Sequence, residues 1–229
     1  MLKGKIPTSS LLLFPEMTLT GFSMNTEKLA EEREGKSFQF FSELAKKFST
    51  SIIAGIIEKD ENNFFNTLIH INSSGDLISY YRKVHPFSYS DEDKYYRGGD
   101  KPVVTEIDDW KIGLSICYDL RFPELFRFYA KERVDLIINI ANWPALRIEH
   151  WRSLLKARAI ENQCYIAGVN RIGNDPNAVY NGFSSVFNPM GKEIISIGDE
   201  EKIITVEIDK EKVKQVREEF PFLEDIKLV

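Results

Sequence analysis

Long apolar runs are missing from these 229 residues. No stretch approaches the roughly 18 consecutive apolar residues that a membrane-spanning helix needs. The opening Met1-Leu2-Lys3-Gly4-Lys5-Ile6-Pro7 lacks the apolar core of a secretory signal, so the cytosol is the expected compartment and no membrane partner is expected. Cysteine is scarce as well. Cys117 and Cys164 both lie in apolar stretches, and without an export signal they are expected to remain unbridged thiols. Basic charge is not in excess: 30 Lys and Arg face 35 Asp and Glu, for a net charge of −5 and a pI near 5.4. The cations are scattered, which argues against a nucleic-acid partner, since such a partner calls for a basic face or stripe. His70, His85, His150 and the two cysteines show no short metal-ligand spacing, and no glycine-rich phosphate cradle occurs, so neither a metal nor any other cofactor is expected. Repeats, low-complexity tracts and linkers rich in Gly, Ser and Pro are also missing, so a single domain over residues 1–229 is expected.

The chain is 43% hydrophobic and 28% charged, enough for one substantial core. Short apolar runs predict strands at Ser10–Phe14, Ser51–Glu58, Phe64–Ile71, Leu77–Arg82, Lys111–Ile116, Leu136–Ala141, Cys164–Val169, Phe183–Phe187 and Ile203–Ile208. Phe38, Phe41, Ala45 and Phe48 recur at helical steps and predict a helix over Ser37–Phe48, with Ser37 as its N-cap after Gly35. Pro123 suits the first position of a second helix running through Phe128. Ile148, Trp151, Leu155 and Ala159 mark one face of a third, Arg147–Asn162. Asn72-Ser73-Ser74-Gly75, between two strand-like runs, predicts an antiparallel hairpin. The class is mixed α and β, with helix-covered sheets.

Three reactive side chains each stand directly after an apolar strand-like run: Glu16, Lys83 and Cys117. Strand ends hold side chains rigidly around a crevice, so a carboxylate, an ammonium and a thiol can be brought together there. A thiol needs a base to become a nucleophile, which Glu16 can supply. A developing oxyanion needs positive charge or oriented N–H groups, which Lys83 and the Tyr118 backbone N–H can supply. Taken singly, each residue is better read as structure: Cys117 as core, Lys83 as a solvated strand-end charge and Glu16, after Pro15, as a turn or helix-start residue. His85 and His150 invite a Cys–His pairing, but His150 opens a helix with a packing face. Glu124 fits a first helical turn, and Cys164 fits core.

The wording around the three residues resembles the carbon-nitrogen hydrolase (nitrilase) superfamily. Leu13-Phe14-Pro15-Glu16-Met17-Thr18-Leu19-Thr20-Gly21-Phe22 is similar to its glutamate motif, Tyr81-Arg82-Lys83-Val84-His85-Pro86-Phe87 to its lysine motif, and Ile116-Cys117-Tyr118-Asp119-Leu120-Arg121-Phe122-Pro123-Glu124 to its nucleophile motif. The likeness continues through Asn142-Trp143-Pro144, Ala157–Gln163 and Asn188–Gly191, and so spans Leu11 to about Asp209. It implies an α/β (α+β type) four-layer αββα sandwich and hydrolysis through a cysteine thioester, with Cys117 as nucleophile, Glu16 as proton carrier and Lys83 at the oxyanion. It further implies a supporting glutamate, for which Glu92 is the counterpart, and a homodimer or higher homo-oligomer using the tail Phe220–Val229. The segments around Trp143, His150 and Asn170-Arg171 look most like bacterial omega-amidases, which act on 2-oxo dicarboxylic acid monoamides such as 2-oxoglutaramate. Arg147 or Arg171 is then the expected partner of the substrate carboxylate, and Trp143 a pocket wall. Deaminated-glutathione amidase, carbamoyl-amide hydrolase, nitrilase and a non-catalytic binding protein are the alternatives. The family usually has a strand and a helix ahead of the glutamate motif, whereas fifteen residues precede Glu16 here, so an N-terminally shortened sandwich is expected.

Overall fold

A computed structural model describes residues 11–228, so Ser10 of the first predicted strand and Val229 of the tail lie outside the described residues. The chain divides into two compact units, one ending at Val103 and the other starting at Val104.

The first unit contains β1 (Leu11–Leu13), α1 (Thr26–Leu29), α2 (Lys36–Phe48), β2 (Ser51–Asp60), β3 (Asn63–Ile71), β4 (Leu77–Arg82) and α3 (Glu92–Tyr95). Its sheet has the order β1-β2-β3-β4, with β1 parallel to β2 and the other pairs antiparallel. Strand periodicity puts Ile52, Ala54, Ile56, Ile69 and Ile71 on one face, where they are buried against Phe41 and Ala45 of α2. Each of the Ile and Phe side chains among them contributes about 1.5–3 kcal/mol when fully buried. The predicted hairpin joins β3 to β4; Asn72 Oδ1 accepts the backbone N–H groups of Ser74 and Asp76, both at 2.9 Å. One cap differs from expectation. Gly35, not Ser37, is the N-cap of α2, and no side chain of its own caps the helix. The Glu31 carboxylate accepts the Ser37 N–H at 2.8 Å and its hydroxyl at 2.6 Å, because an unpaired helix N-terminal donor takes any well-placed anion.

The second unit contains β5 (Val104–Ile107), β6 (Trp110–Ile116), α4 (Pro123–Lys131), β7 (Leu136–Ala141), α5 (Ile148–Asn162), β8 (Tyr165–Asn170), β9 (Ile172–Asn174), β10 (Val179–Asn181), β11 (Ser184–Phe187), β12 (Glu193–Ile197) and α6 (Lys210–Glu219). Its main sheet has the order β12-β11-β8-β7-β6-β5, and β9 and β10 form a separate ribbon. The three central strands β6, β7 and β8 are parallel, joined by crossovers through α4 and α5. All six residues of β7 are buried, as its unbroken apolar run requires. Helix α4 lies directly on the sheet: a Cβ on Gly113 would fall 2.8 Å from the Tyr129 ring. Arg217 of α6 donates to the carbonyls of Gln163 (3.1 Å), Arg133 (3.3 Å) and Val134 (2.6 Å), and so caps the C-terminal ends of both α4 and α5.

The strand predicted at Ile203–Ile208 is not formed. Ile204, Val206 and Ile208 do alternate with exposed neighbours, but a period of two fixes only side-chain direction, and the segment has no ladder among the described residues. No described helix is long and apolar enough to cross a membrane.

Candidate active site

Two of the three strand-end residues meet within the first unit. Strands β1 and β4 run in the same direction, so Glu16, after β1, and Lys83, after β4, emerge at the same end of the sheet. The Lys83 ammonium lies 3.1 Å from Glu16 Oε1 and 2.8 Å from Glu92 Oε2. Asn66, on β3, donates one amide group to both carboxylates, at 2.7 Å to Glu16 and 2.9 Å to Glu92. The Phe87 N–H adds a further bond to Glu92 at 2.6 Å. None of Glu16, Lys83, Glu92 or Asn66 is more than 2% exposed. Burying this much charge is tolerable only because each ion is paired and hydrogen-bonded.

The backbone supports this arrangement. The Lys83 N–H donates to Asn66 O at 2.9 Å, and its carbonyl accepts from Gly99 at 2.8 Å, so β4 is held on both sides where it ends. Gly55 of β2 lets the glutamate loop cross the strand: a Cβ there would sit 2.4 Å from Met17 N and 2.7 Å from Glu16 Cα. Tyr96 lies within electrostatic reach of the cluster, its hydroxyl donating to Ser23 O. Burial, then the Glu92 and Glu16 carboxylates, push its phenol well above the usual range, so it stays neutral.

Cys117 belongs to the second unit, directly after β6, where a 3-10 turn Cys117–Arg121 begins. Its φ of +46° is in the left-handed region that non-glycine residues rarely occupy, a conformation costing about 1–3 kcal/mol that persists only where surroundings enforce it. The surroundings here are specific. Asp119, fully buried, accepts the Ile116 N–H at 3.0 Å. Arg158 of α5 donates twice to the Leu120 carbonyl, at 2.8 and 3.2 Å. Tyr118, whose N–H is the candidate oxyanion donor, sits inside the same turn, its ring edge-on to Phe122 at 5.1 Å. Neither cysteine is in a disulfide; Cys117 is half-buried, while Cys164 is buried and its thiol pushed up to about 12 by desolvation.

The remaining sequence candidates separate. Trp143 is 3% exposed, packs on Trp151 at 5.5 Å and donates its indole N–H to the Arg147 carbonyl at 2.8 Å. Arg171 is engaged elsewhere, in an ion pair with Asp175 at 3.3 Å and over the Tyr180 ring at 4.6 Å. His150 is exposed, with Nδ1 3.3 Å from Arg121. Sequence reasoning missed Arg121 as a site residue. Its guanidinium lies 4.7 Å over the Trp143 ring, and burial together with the like charge of Arg147 lowers its pKa, while Cys117 is near enough to oppose that shift. Arg121 is thus within electrostatic reach of both Arg147 and Cys117, and a guanidinium can pair with a carboxylate through two parallel hydrogen bonds. Asn66 was missed too, although a polar residue inside the run Phe64-Phe65-Asn66-Thr67-Leu68 is itself a signal that a buried partner exists.

The chain is similar to known proteins. Residues 3–218, across both units, match the model of the family described as carbon-nitrogen hydrolase. The 2-oxoglutaramate amidase of Bacillus subtilis (strain 168) is 37% identical over 222 residues, covering 96% of this chain and 85% of that protein. The omega-amidase YafV of Escherichia coli (strain K12) is 36% identical over 220 residues, covering 94% and 83%. Among solved structures, XC1258 from Xanthomonas campestris, described as a CN-hydrolase superfamily protein with an arsenic adduct in the active site, superimposes with a TM-score of 0.91 at 33% identity, covering 96% of this chain and 86% of that one. A match of this extent, on a chain that carries the glutamate, lysine and cysteine motifs in order, makes this protein a member of the carbon-nitrogen hydrolase family.

Proposed function

We propose that this protein is an omega-amidase that releases ammonia from the terminal amide of 2-oxo dicarboxylic acid monoamides such as 2-oxoglutaramate. The observation that carries the reading is the buried Lys83 ammonium clasped between Glu16 and Glu92, an arrangement suited to moving a proton and meeting an oxyanion in a dry site. The substrate class is supported by the similarity to the Bacillus subtilis 2-oxoglutaramate amidase and by Arg121, which is within electrostatic reach of Cys117 and of Arg147.

In this reading Glu16 takes the proton of the Cys117 thiol as Sγ attacks the amide carbon. The Lys83 ammonium and the Tyr118 N–H stabilise the resulting oxyanion. The C–N bond breaks, Glu16 returns the proton to the departing ammonia, and a thioester on Cys117 remains. Water then attacks the thioester while Glu16 accepts its proton, and the carboxylic acid leaves as the thiol re-forms. Glu92 orients Lys83. Arg121 and Arg147 receive the substrate carboxylate above Trp143, since the Arg121 guanidinium lies over that ring and the Trp143 indole holds the Arg147 carbonyl. Residues 1–229 act as one catalytic domain in a cytosolic homo-oligomer, whose contacts include the tail from Phe220 onward, where Phe222 is 64% exposed.

The test is ammonia release from 2-oxoglutaramate, deaminated glutathione, a carbamoyl amide and an aliphatic nitrile, measured with wild type and Cys117→Ala. Turnover of 2-oxoglutaramate well above the others, lost in Cys117→Ala together with the acyl-enzyme mass, is expected. Preference for another substrate would assign the chain elsewhere in the family, and no turnover from folded protein would favour a binding role.

A further inference from the structure

We infer that Asn170 is the positioning residue for the carboxylate end of the substrate, acting through Trp143 on Arg121 and Arg147; this rests on the omega-amidase reading above. Asn170 is the last residue of β8, paired with Ala141, the last residue of β7. The register ends at that pair, with Arg171 N–H still donating to Ala141 O at 3.1 Å, and the Asn170 side chain adds the connection beyond it. Its Oδ1 accepts the Trp143 N–H at 2.6 Å, and its Nδ2 donates to the Trp143 carbonyl at 3.0 Å. The same amide nitrogen donates to Gly182 O at 2.7 Å, tying in the segment ahead of β11. Ser184 Oγ accepts the Asn170 N–H at 3.0 Å, so the clamp is itself held. At 4% exposure these bonds do not compete with water.

Trp143 passes this placement on. Its indole N–H fixes the Arg147 carbonyl at 2.8 Å and its ring carries the Arg121 guanidinium at 4.7 Å. One indole therefore carries the Arg121 cation and fixes the backbone from which the Arg147 side chain extends, and that indole is itself set by one amide. The Arg121 guanidinium rests on the indole face, so small errors in the placement of that indole weaken carboxylate binding first. A side chain with both a donor and an acceptor is required at Asn170. Asp cannot donate to the Trp143 and Gly182 carbonyls, and Ala does neither.

The experiment compares kcat/KM for 2-oxoglutaramate with that for butyramide, an amide without a carboxylate, in wild type, Asn170→Ala, Asn170→Asp, Arg121→Gln and the double variant Asn170→Ala/Arg121→Gln. The preference for the anionic amide is expected to fall at least about tenfold in both Asn170 variants, chiefly through KM, and in the double variant by clearly less than the product of the two single losses, because the Arg121 part of the effect is then already gone. If Asn170→Ala does not fold, as judged by thermal melting, Asn170→Asp with its double variant decides. Equal losses on both amides, or additive losses in the double variant, would overturn the inference. A collapse of the preference in Arg121→Gln with none in the Asn170 variants overturns the Asn170 role alone. An unchanged preference in Arg121→Gln overturns the carboxylate reading and the inference together.

Discussion

The Lys83 ammonium lies 2.8 Å from Glu92 Oε2, and both side chains are closed off from solvent. Removing one member of a buried pair strands the other charge, at a cost of about 3–5 kcal/mol. Lys83→Met leaves Glu16 and Glu92 facing each other across Asn66, and is expected to abolish ammonia release and lower the urea midpoint. Glu92→Gln keeps the shape but not the charge, and should lower kcat by about 100-fold or more. Wild-type turnover in Glu92→Gln would leave that carboxylate a structural role only.

Gly55 tests whether Glu16 is held by its backbone. A Cβ at this position meets Met17 N and Glu16 Cα, and neither atom can swing aside as a side-chain terminus does. Gly55→Ala should therefore displace Glu16, with an activity loss larger than the roughly 1–3 kcal/mol of destabilisation that overpacking brings. Ammonia assays beside denaturation curves separate the two effects.

The two thiols should differ sharply toward iodoacetamide. Cys164 is sealed in core, its thiol pushed up to about 12, so its thiolate is negligible at neutral pH. Cys117 is half-buried at a strained turn. Peptide mapping after brief alkylation is expected to find label on Cys117 in step with lost activity. Equal labelling of both residues would count against a nucleophilic role.

His70 predicts an acid limb of stability. Burial lowers its pKa from 6.5 to about 4, so the unfolded chain binds a proton at pH values where the folded protein does not. Its stabilising contribution is present above pH 6.5 and declines as pH falls from there through about 4. The total loss is about 3 kcal/mol at 1.36 kcal/mol per pKa unit. Denaturation at pH 7.5 and pH 4.5 should show most of this drop in wild type and much less of it in His70→Leu.

Much of the fold was legible because some segments have one physical solution. Leu136–Ala141 is too apolar to lie anywhere but inside a sheet, and Trp151, Leu155 and Ala159 leave α5 one face to bury. The elements missed lack that one-sidedness. Strands β5 and β12 are edge strands of mixed exposure, and α6 buries only Val213 and Val216, so local pattern alone does not distinguish them from loop.

The sequence by itself determined the chemistry available: a carboxylate, an ammonium and a thiol, each placed after an apolar run inside a recognisable motif. Spacing along a chain carries no information about which distant side chains share a proton or a charge. Only the tertiary structure decided that Lys83 is clasped by both Glu16 and Glu92, that Asn66 joins the two carboxylates, and that Arg121, rather than Arg171, lies over Trp143. The reason is physical: burial turns each of these polar groups into one that must find a partner, and the sheet registers determine which partner is within reach.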